Sequence, residues 1–153
     1  MTPQLVTEAT LWPAILRLLS DAFASMEGRI DPPSSLRDLT PEALARQTAM
    51  GEIWIIGKPV ACVFLTPRPE ALYVGKLAVA ANHRGKGLAR RLVDQAEARA
   101  RALRLPTLEL QTRVELVENQ RVFTAMGFVE VGRTADPGFD RPTSITYRRA
   151  VSF

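Results

Sequence analysis

One stretch constrains the fold more than any other. "ALYVGKLAVA" (residues 71–80) reads as an apolar strand, and "HRGKGLARRL" (83–92) follows as a glycine-rich turn opening a helix. "PTLELQT" (106–112) then returns as a second strand. From Gly87 to Leu103 the apolar positions Leu88, Leu92, Val93, Ala96 and Ala100 form one helical face, and arginines cover the other. A strand–helix–strand unit over 71–112 places the chain among mixed α/β domains.

The flanking sequence fits around that unit. "QLVTEA" alternates as a first strand, and "LWPAILRLLSDAFASM" spaces Ile15, Leu18, Leu19, Ala22 and Phe23 helically, with Pro13 tolerated in the first turn. "EGRIDPPSSLRDL" (27–39) is loop by composition. "TPEALARQTAM" restarts a helix with Thr40 as N-cap and Pro41 at the first helical position. "EIWIIGKPVACVFLTP" is predicted as two strands joined by a tight turn at Gly57-Lys58. Downstream, "VENQRVFTAMGF" reads as a short helix ended by a left-handed Gly127, and "FVEVGRT" and "TSITYRRAV" as two strands around the loop "ADPGFDRP". The predicted order is strand, two helices, three strands, helix, strand, helix, two strands.

A chain of 153 residues is expected to form one domain over residues 1–153. With 46% hydrophobic and 24% charged residues, neither disorder nor a coiled coil is indicated. The net charge of +4 permits a polyanionic partner without naming one. The single cysteine, Cys62, excludes an intrachain disulfide and lies in the apolar run "VACVFL", where a buried hydrophobic role is expected. "MTPQLVTEAT" has no signal-peptide pattern and no run approaches a membrane span, so a cytoplasmic location is expected. No metal is expected.

The corner at 83–92 has the makings of an anion site. First-turn amides of a helix have no intrahelical acceptor, the helix dipole favours negative charge there, and glycine lets a ligand approach the backbone. A P-loop does not fit, because Lys86 precedes Gly87 and no Ser or Thr follows. A dinucleotide fingerprint fails as well: the third glycine position is Arg90, and no acidic residue ends the strand at 107–112.

The spacing that fits is R-x-x-G-x-A, namely Arg84, Gly87 and Ala89, directly after "LAV" at 77–79. With "LAVAANHRGKGLARRLV", the downstream "ENQRVFTAMGF" and the element order, the chain resembles the GNAT superfamily of acetyl-CoA-dependent N-acetyltransferases over nearly its whole length. The resemblance implies a mixed α/β (α+β) fold with a mostly antiparallel sheet of about six to seven strands flanked by about four helices. It also implies that the amides around Arg84, Gly85, Lys86, Gly87, Leu88, Ala89 and Arg90 wrap the pyrophosphate of coenzyme A. Lys86, Arg90 and Arg91 are then available to the adenosine phosphates. Leu77, Ala78 and Val79 would pair their backbone with the pantetheine arm, as with an added strand. Asn119 matches an asparagine that often bonds the pantetheine amides in this family, and is equally suited to an N-cap.

The implied reaction is direct attack of a primary amine on the thioester, with both substrates bound and a backbone N–H near Leu77 to Val79 as oxyanion donor. The family's tyrosine acid, four residues before "GF", is Phe123 here, which has no proton to give and also suits a core. A glutamate base found in some relatives falls on Tyr73, which is open to orienting a water, donating a proton, or plain packing. Glu109 and Tyr147 are weaker candidates, and His83 suits capping or phosphate contact.

The loops "MEGRIDPPSS" and "TADPGFDRP" would frame the acceptor. Arg29, Asp31, Asp136, Asp140 and Arg141 are available there for substrate contact or for pairing between themselves. The acceptor is expected to be a small molecule or an amino terminus, with no nucleic acid or membrane partner. Relatives are commonly dimeric, and the apolar tail "AVSF" is available to such a contact. Two other readings compete: a non-catalytic acyl-CoA-binding or regulatory domain, and a basic nucleic-acid module built on the arginine-rich helix.

Overall fold

The computed structural model describes residues 1–33 and 39–153; part of the expected 27–39 loop lies outside them. The elements appear in the predicted order: β1 (Gln4–Leu5), α1 (Trp12–Ala24), α2 (Pro41–Met50), β2 (Glu52–Ile56), β3 (Ala61–Pro67), β4 (Leu72–Val79), α3 (Leu88–Ala102), β5 (Thr107–Arg113), α4 (Val117–Ala125), β6 (Val129–Thr134) and β7 (Ser144–Ala150). The strands form one seven-stranded sheet in the order β1-β2-β3-β4-β5-β7-β6. Every neighbouring pair is antiparallel except β4 with β5. The expected class, a mostly antiparallel sheet with four α-helices, is the class observed.

Two apolar layers cover the sheet. On one face Ile15, Leu18 and Leu19 of α1 and Leu44 of α2 pack on Ile53, Ile55, Cys62, Phe64 and Ala78. On the other, Leu88, Leu92, Val93, Ala96 and Ala100 of α3 meet Ile56, Val63, Leu65, Leu72, Val74, Leu108 and Leu110. The predicted α3 stripe is therefore the buried face. Thr40 caps α2 as expected, accepting from the Ala43 amide at 3.2 Å.

Three local expectations change. The β2–β3 connection spans Gly57 to Val60, longer than a two-residue turn, with Ile56 paired to Ala61. The first strand is reduced to Gln4–Leu5. The cap of α4 is Leu116, without a side-chain cap bond, so Asn119 sits inside the first turn. Leu116 is buried against Met26 and Ile30, and this apolar anchor fixes the helix start where side-chain capping would have placed it later.

Candidate active site

The parallel pair is short. Only Leu72↔Leu108 and Tyr73↔Glu109 are in register. Beyond them β5 pairs along its whole length with β7, while β4 continues to Val79 beside β3 alone. The strands splay and leave a gap in the middle of the sheet.

A β-bulge shapes the β4 side of the gap. Register shifts between Cys62 and Phe64, so Lys76 and Leu77 on β4 face the single residue Val63. Lys76 takes a left-handed φ of 51°, a conformation uncommon for a residue with a Cβ. Past the bulge the Ala80 amide donates to Val60 O at 2.8 Å, on the β3 side. Alternation along a strand then turns the Val79 and Leu77 amides the other way, into the gap.

At the end of β4, Gly85 and Gly87 have φ of 78° and 77°, and a Cβ on either would meet nothing within 4 Å. Glycine is needed here for backbone conformation, and the space in front of it is open. Helix α3 starts from Gly87 without a side-chain cap and without an acidic residue in its first turn. Its first amide with a local acceptor is that of Arg91, bonded to Gly87 O at 3.1 Å. The first-turn amides before it have no intrahelical acceptor, the arrangement that suits an anion.

A cleft of about 600 Å³ runs from this loop along Leu77, Ala78 and Val79 to Asn119 and Phe123. Arg84, Gly85, Gly87, Leu88, Ala89 and Arg90 line it, and so does His83. Lys86 is exposed and is not part of this lining; Arg91 turns away and donates to Met1 O at 2.7 Å. A second cavity of about 320 Å³ opens on the other side of Leu77, Asn119 and Phe123, towards Tyr73, Lys76, Thr112 and Arg113. The two cavities share those three residues as a common wall, together with Phe23, Met26 and Leu116. A third hollow, beneath the C-terminal part of α1, lies away from the glycine loop. Among the described residues no group of three metal-ligating side chains forms.

Asn119 is half-buried at the junction, and its side-chain amide has no hydrogen bond among the described residues. Phe123 packs edge-on to Phe128 at 6.0 Å and 70°, serving the core and the junction together. Tyr73 lies under the Arg68 guanidinium at 4.0 Å from the ring centroid, with the Gln111 amide near its hydroxyl. Burial, together with Glu109, pushes its pKa above the ordinary phenol value, so Tyr73 stays protonated at neutral pH. Glu109 is buried and held by Arg68 and Arg148, each at 2.8 Å, which removes it from the base candidates. Tyr147 is buried in the core.

Four of the five loop charges are paired, one pair being between the two loops. Arg29 bonds Glu118 of α4, and Arg141 bonds Asp31 at 3.2 Å, tying the α1–α2 segment to α4 and to the β6–β7 loop. The Asp31 amide donates to Glu115 at 3.2 Å. Arg29 borders the cofactor-side cleft, whereas Asp140 is exposed and lines neither cavity. Lys76, Thr112 and Arg113, all facing the second cavity, escaped the sequence reading. The one available signal was "YVGKLAV", where Gly-Lys interrupts an apolar strand and marks a bulge.

A helix start without side-chain cap or acid behind two left-handed glycines, a gap between β4 and β5 and a bipartite cleft suit an acyl-CoA-dependent transferase of the mixed α/β type. The acetyltransferase (GNAT) family model matches residues 12–128, and the chain belongs to that family. It is an acyltransferase whose acetyl donor is acetyl-CoA. No curated protein sequence matches the chain at a significant level.

Solved structures show the same fold at low identity. A GNAT-family acetyltransferase from Staphylococcus aureus Mu50 superposes with TM-score 0.76 at 14% identity, covering 99% of this chain and 100% of that one. The ribosomal-protein-S18-alanine N-acetyltransferase of Escherichia coli gives 0.68 at 20% identity, covering 99% and 94%. A streptothricin acetyltransferase-like protein of Bacillus anthracis, solved in complex with acetyl coenzyme A, gives 0.57 at 20% identity over 65% and 62%.

Proposed function

We propose that this protein transfers the acetyl group of acetyl-CoA to the primary amine of a small molecule or an amino terminus, by direct attack with both substrates bound. One observation carries the reading: two cavities meet at Leu77, Asn119 and Phe123, beside the end of β4, where that strand has β3 as its only neighbour. The donor supplies a thioester, whose carbonyl carbon gains the amine nitrogen and loses the thiolate.

The glycine loop and the α3 start hold the pyrophosphate, and the Asn119 amide is placed to bond the pantetheine arm. The Leu77 or Val79 N–H donates a hydrogen bond to the oxygen on which negative charge develops, a contribution of typically about 3–4 kcal/mol. Phe123 offers no proton to the leaving sulfur. A thiol with pKa near 8.5 departs tolerably as thiolate, so the step proceeds without an acid at that position.

No carboxylate is free in the second cavity among the described residues. Glu109 is held by two arginines, and Asp136 takes the Thr143 hydroxyl at 2.6 Å and Arg113 at 3.5 Å. An acceptor therefore deprotonates to water or arrives neutral. That favours the α-amine of a peptide, pKa about 7.7–8.0, over a lysine-type amine near 10.4; the amine of a free amino acid, raised by its own carboxylate, lies between the two.

Against the nucleic-acid reading, three of the four arginines of α3 have partners within the protein, while Arg90 lines the cleft. Arg91 bonds Met1, Arg99 bonds Glu52 at 2.7 Å and Arg101 bonds Glu97 at 3.2 Å. The deciding experiment is thermal unfolding with acetyl-CoA and with adenosine diphosphate, followed by thiol release across an amine panel. Donor at a hundred times its dissociation constant adds about 2.7 kcal/mol, a shift of roughly 5–10 °C. Binding without amine-dependent thiol release would leave a non-catalytic acyl-CoA-binding domain instead.

A further inference from the structure

The second cavity is equipped for an anion. Lys76 and Arg113 both face it, and Asp136, the carboxylate in its wall, already accepts from Thr143 and Arg113. Lys76 has no ion pair and no side-chain hydrogen bond among the described residues. Burial holds its ammonium below the ordinary lysine pKa, the signature of a charge lacking a counter-ion. The Thr112 hydroxyl is unpartnered, in a residue only 7% exposed.

Arg113 makes the case specific. Its Nη1 reaches Asp136 at 3.5 Å, while Nε and Nη2 are buried without a partner. Buried guanidinium N–H groups without acceptors are rare and need an explanation. Nε–H and the adjacent Nη2–H are parallel donors on one edge of the guanidinium, the edge that matches a carboxylate. This chain uses that edge elsewhere: Arg99 holds Glu52 through Nε at 2.9 Å and Nη2 at 2.7 Å, and Arg133 holds Glu130 through Nε at 2.9 Å and Nη2 at 3.1 Å. On Arg113 the same edge is unpartnered but closed off from solvent, as is Oε1 of Glu115 two residues on, so the guanidinium must turn to present that edge to the cavity.

We infer that the acceptor carries a carboxylate, received by Arg113 with Lys76 and the Thr112 hydroxyl beside it, so that the substrate class is a small amino acid. This rests on the acceptor occupying the second cavity, as proposed above. A cavity of about 320 Å³ suits a molecule of that size. Diamines and other polycations meet two positive side chains there and no free acid.

The test pairs each amino acid with its carboxamide and adds a diamine. The amine of the carboxamide is the less protonated, so chemistry alone would favour it; the carboxylate must therefore earn any preference through binding. Expected is a KM at least tenfold lower for the amino acid. Arg113→Gln should abolish that preference, Arg113→Lys should restore part of it, and none of these changes should touch the affinity for acetyl-CoA. Lys76→Gln should reduce the preference severalfold. Calorimetry of the coenzyme A-loaded protein with an N-acetyl amino acid and its amide gives a second reading without turnover. Equal use of acid and amide, a preference for the diamine, or an Arg113→Gln loss equal for both members of a pair would overturn the inference. If no amine is acetylated, the transferase reading fails, while the calorimetric preference still decides whether the cavity takes a carboxylate.

Discussion

Glu109 and Arg148 are register partners across β5 and β7, and the arginine Nε donates to the buried carboxylate at 2.8 Å. Arg68 takes the other oxygen from the β4 side and covers the Tyr73 ring. The acid thus ties β5 to β7 and to the turn between β3 and β4, and is a structural counter-ion. Glu109→Gln should cost about 2–3 kcal/mol, less than the ~3–5 kcal/mol of fully buried pairs because both arginines stay half-exposed. Thermal melts should fall by roughly 5–10 °C. At a temperature where the variant is folded, kcat should change less than about threefold, against the ~100-fold or greater loss expected of a general base.

Gly87→Ala should separate ligand binding from folding. The left-handed φ of 77° costs a residue with a Cβ roughly 1–2 kcal/mol, so the loop abandons the geometry that aims its amides. The dissociation constant for acetyl-CoA should rise about tenfold or more. Gly138→Ala is the control: its φ is 87°, it too is free of neighbours within 4 Å, and it lines neither cavity. That variant should lose comparable stability and keep its affinity, as measured by calorimetry.

Phe123→Tyr puts a phenol at the junction of the cavities while keeping the ring against Phe128. With a leaving thiol of pKa near 8.5, the gain should be modest, about three- to tenfold in kcat, below the usual range for a general acid. Acetyl-CoA affinity should not move. An unchanged kcat would show that the sulfur leaves without help at that position.

Cys62 is fully buried, and burial pushes its thiol up to about 12. In the native protein it should resist a thiol-specific chromogenic reagent at pH 8 and react at once in guanidinium. A folded pKa above the unfolded one means that its contribution to stability is complete below the unfolded value. That contribution is lost as pH rises from about 9 towards 12, because the unfolded chain then releases the proton first. Cys62→Ala should flatten that part of the stability curve.

The sequence carried the framework because local signals agreed with the tertiary outcome. The α3 stripe, the Thr40 cap and the left-handed Gly127 (φ 90°) need nothing beyond near neighbours. The site was legible where it is made of backbone, in the glycine loop and the end of β4. It was less legible where side chains decide. Glu109 looked available until the fold set two arginines on it, and Lys86 sits one residue from glycines that line the cleft yet points outward. Asn119 resembled a cap because the buried Leu116 that starts the helix meets partners some ninety residues away, Met26 and Ile30. Lys76 and Arg113 come together only through the bulge and the splay, which depend on pairings between distant strands.

The splay also has a mechanical consequence. With two register pairs between β4 and β5, the sheet is two plates, β1–β4 and β5-β7-β6, sharing a short seam and bridged by α3. A ligand lying in the gap lends the β4 amides a partner and stiffens the seam. The empty enzyme should flex along that line, with hydrogen exchange at Leu77 and Val79 fast until the donor binds. If coenzyme A lies in that gap, seam variants such as Leu72→Ala should quicken its departure as well as lower stability.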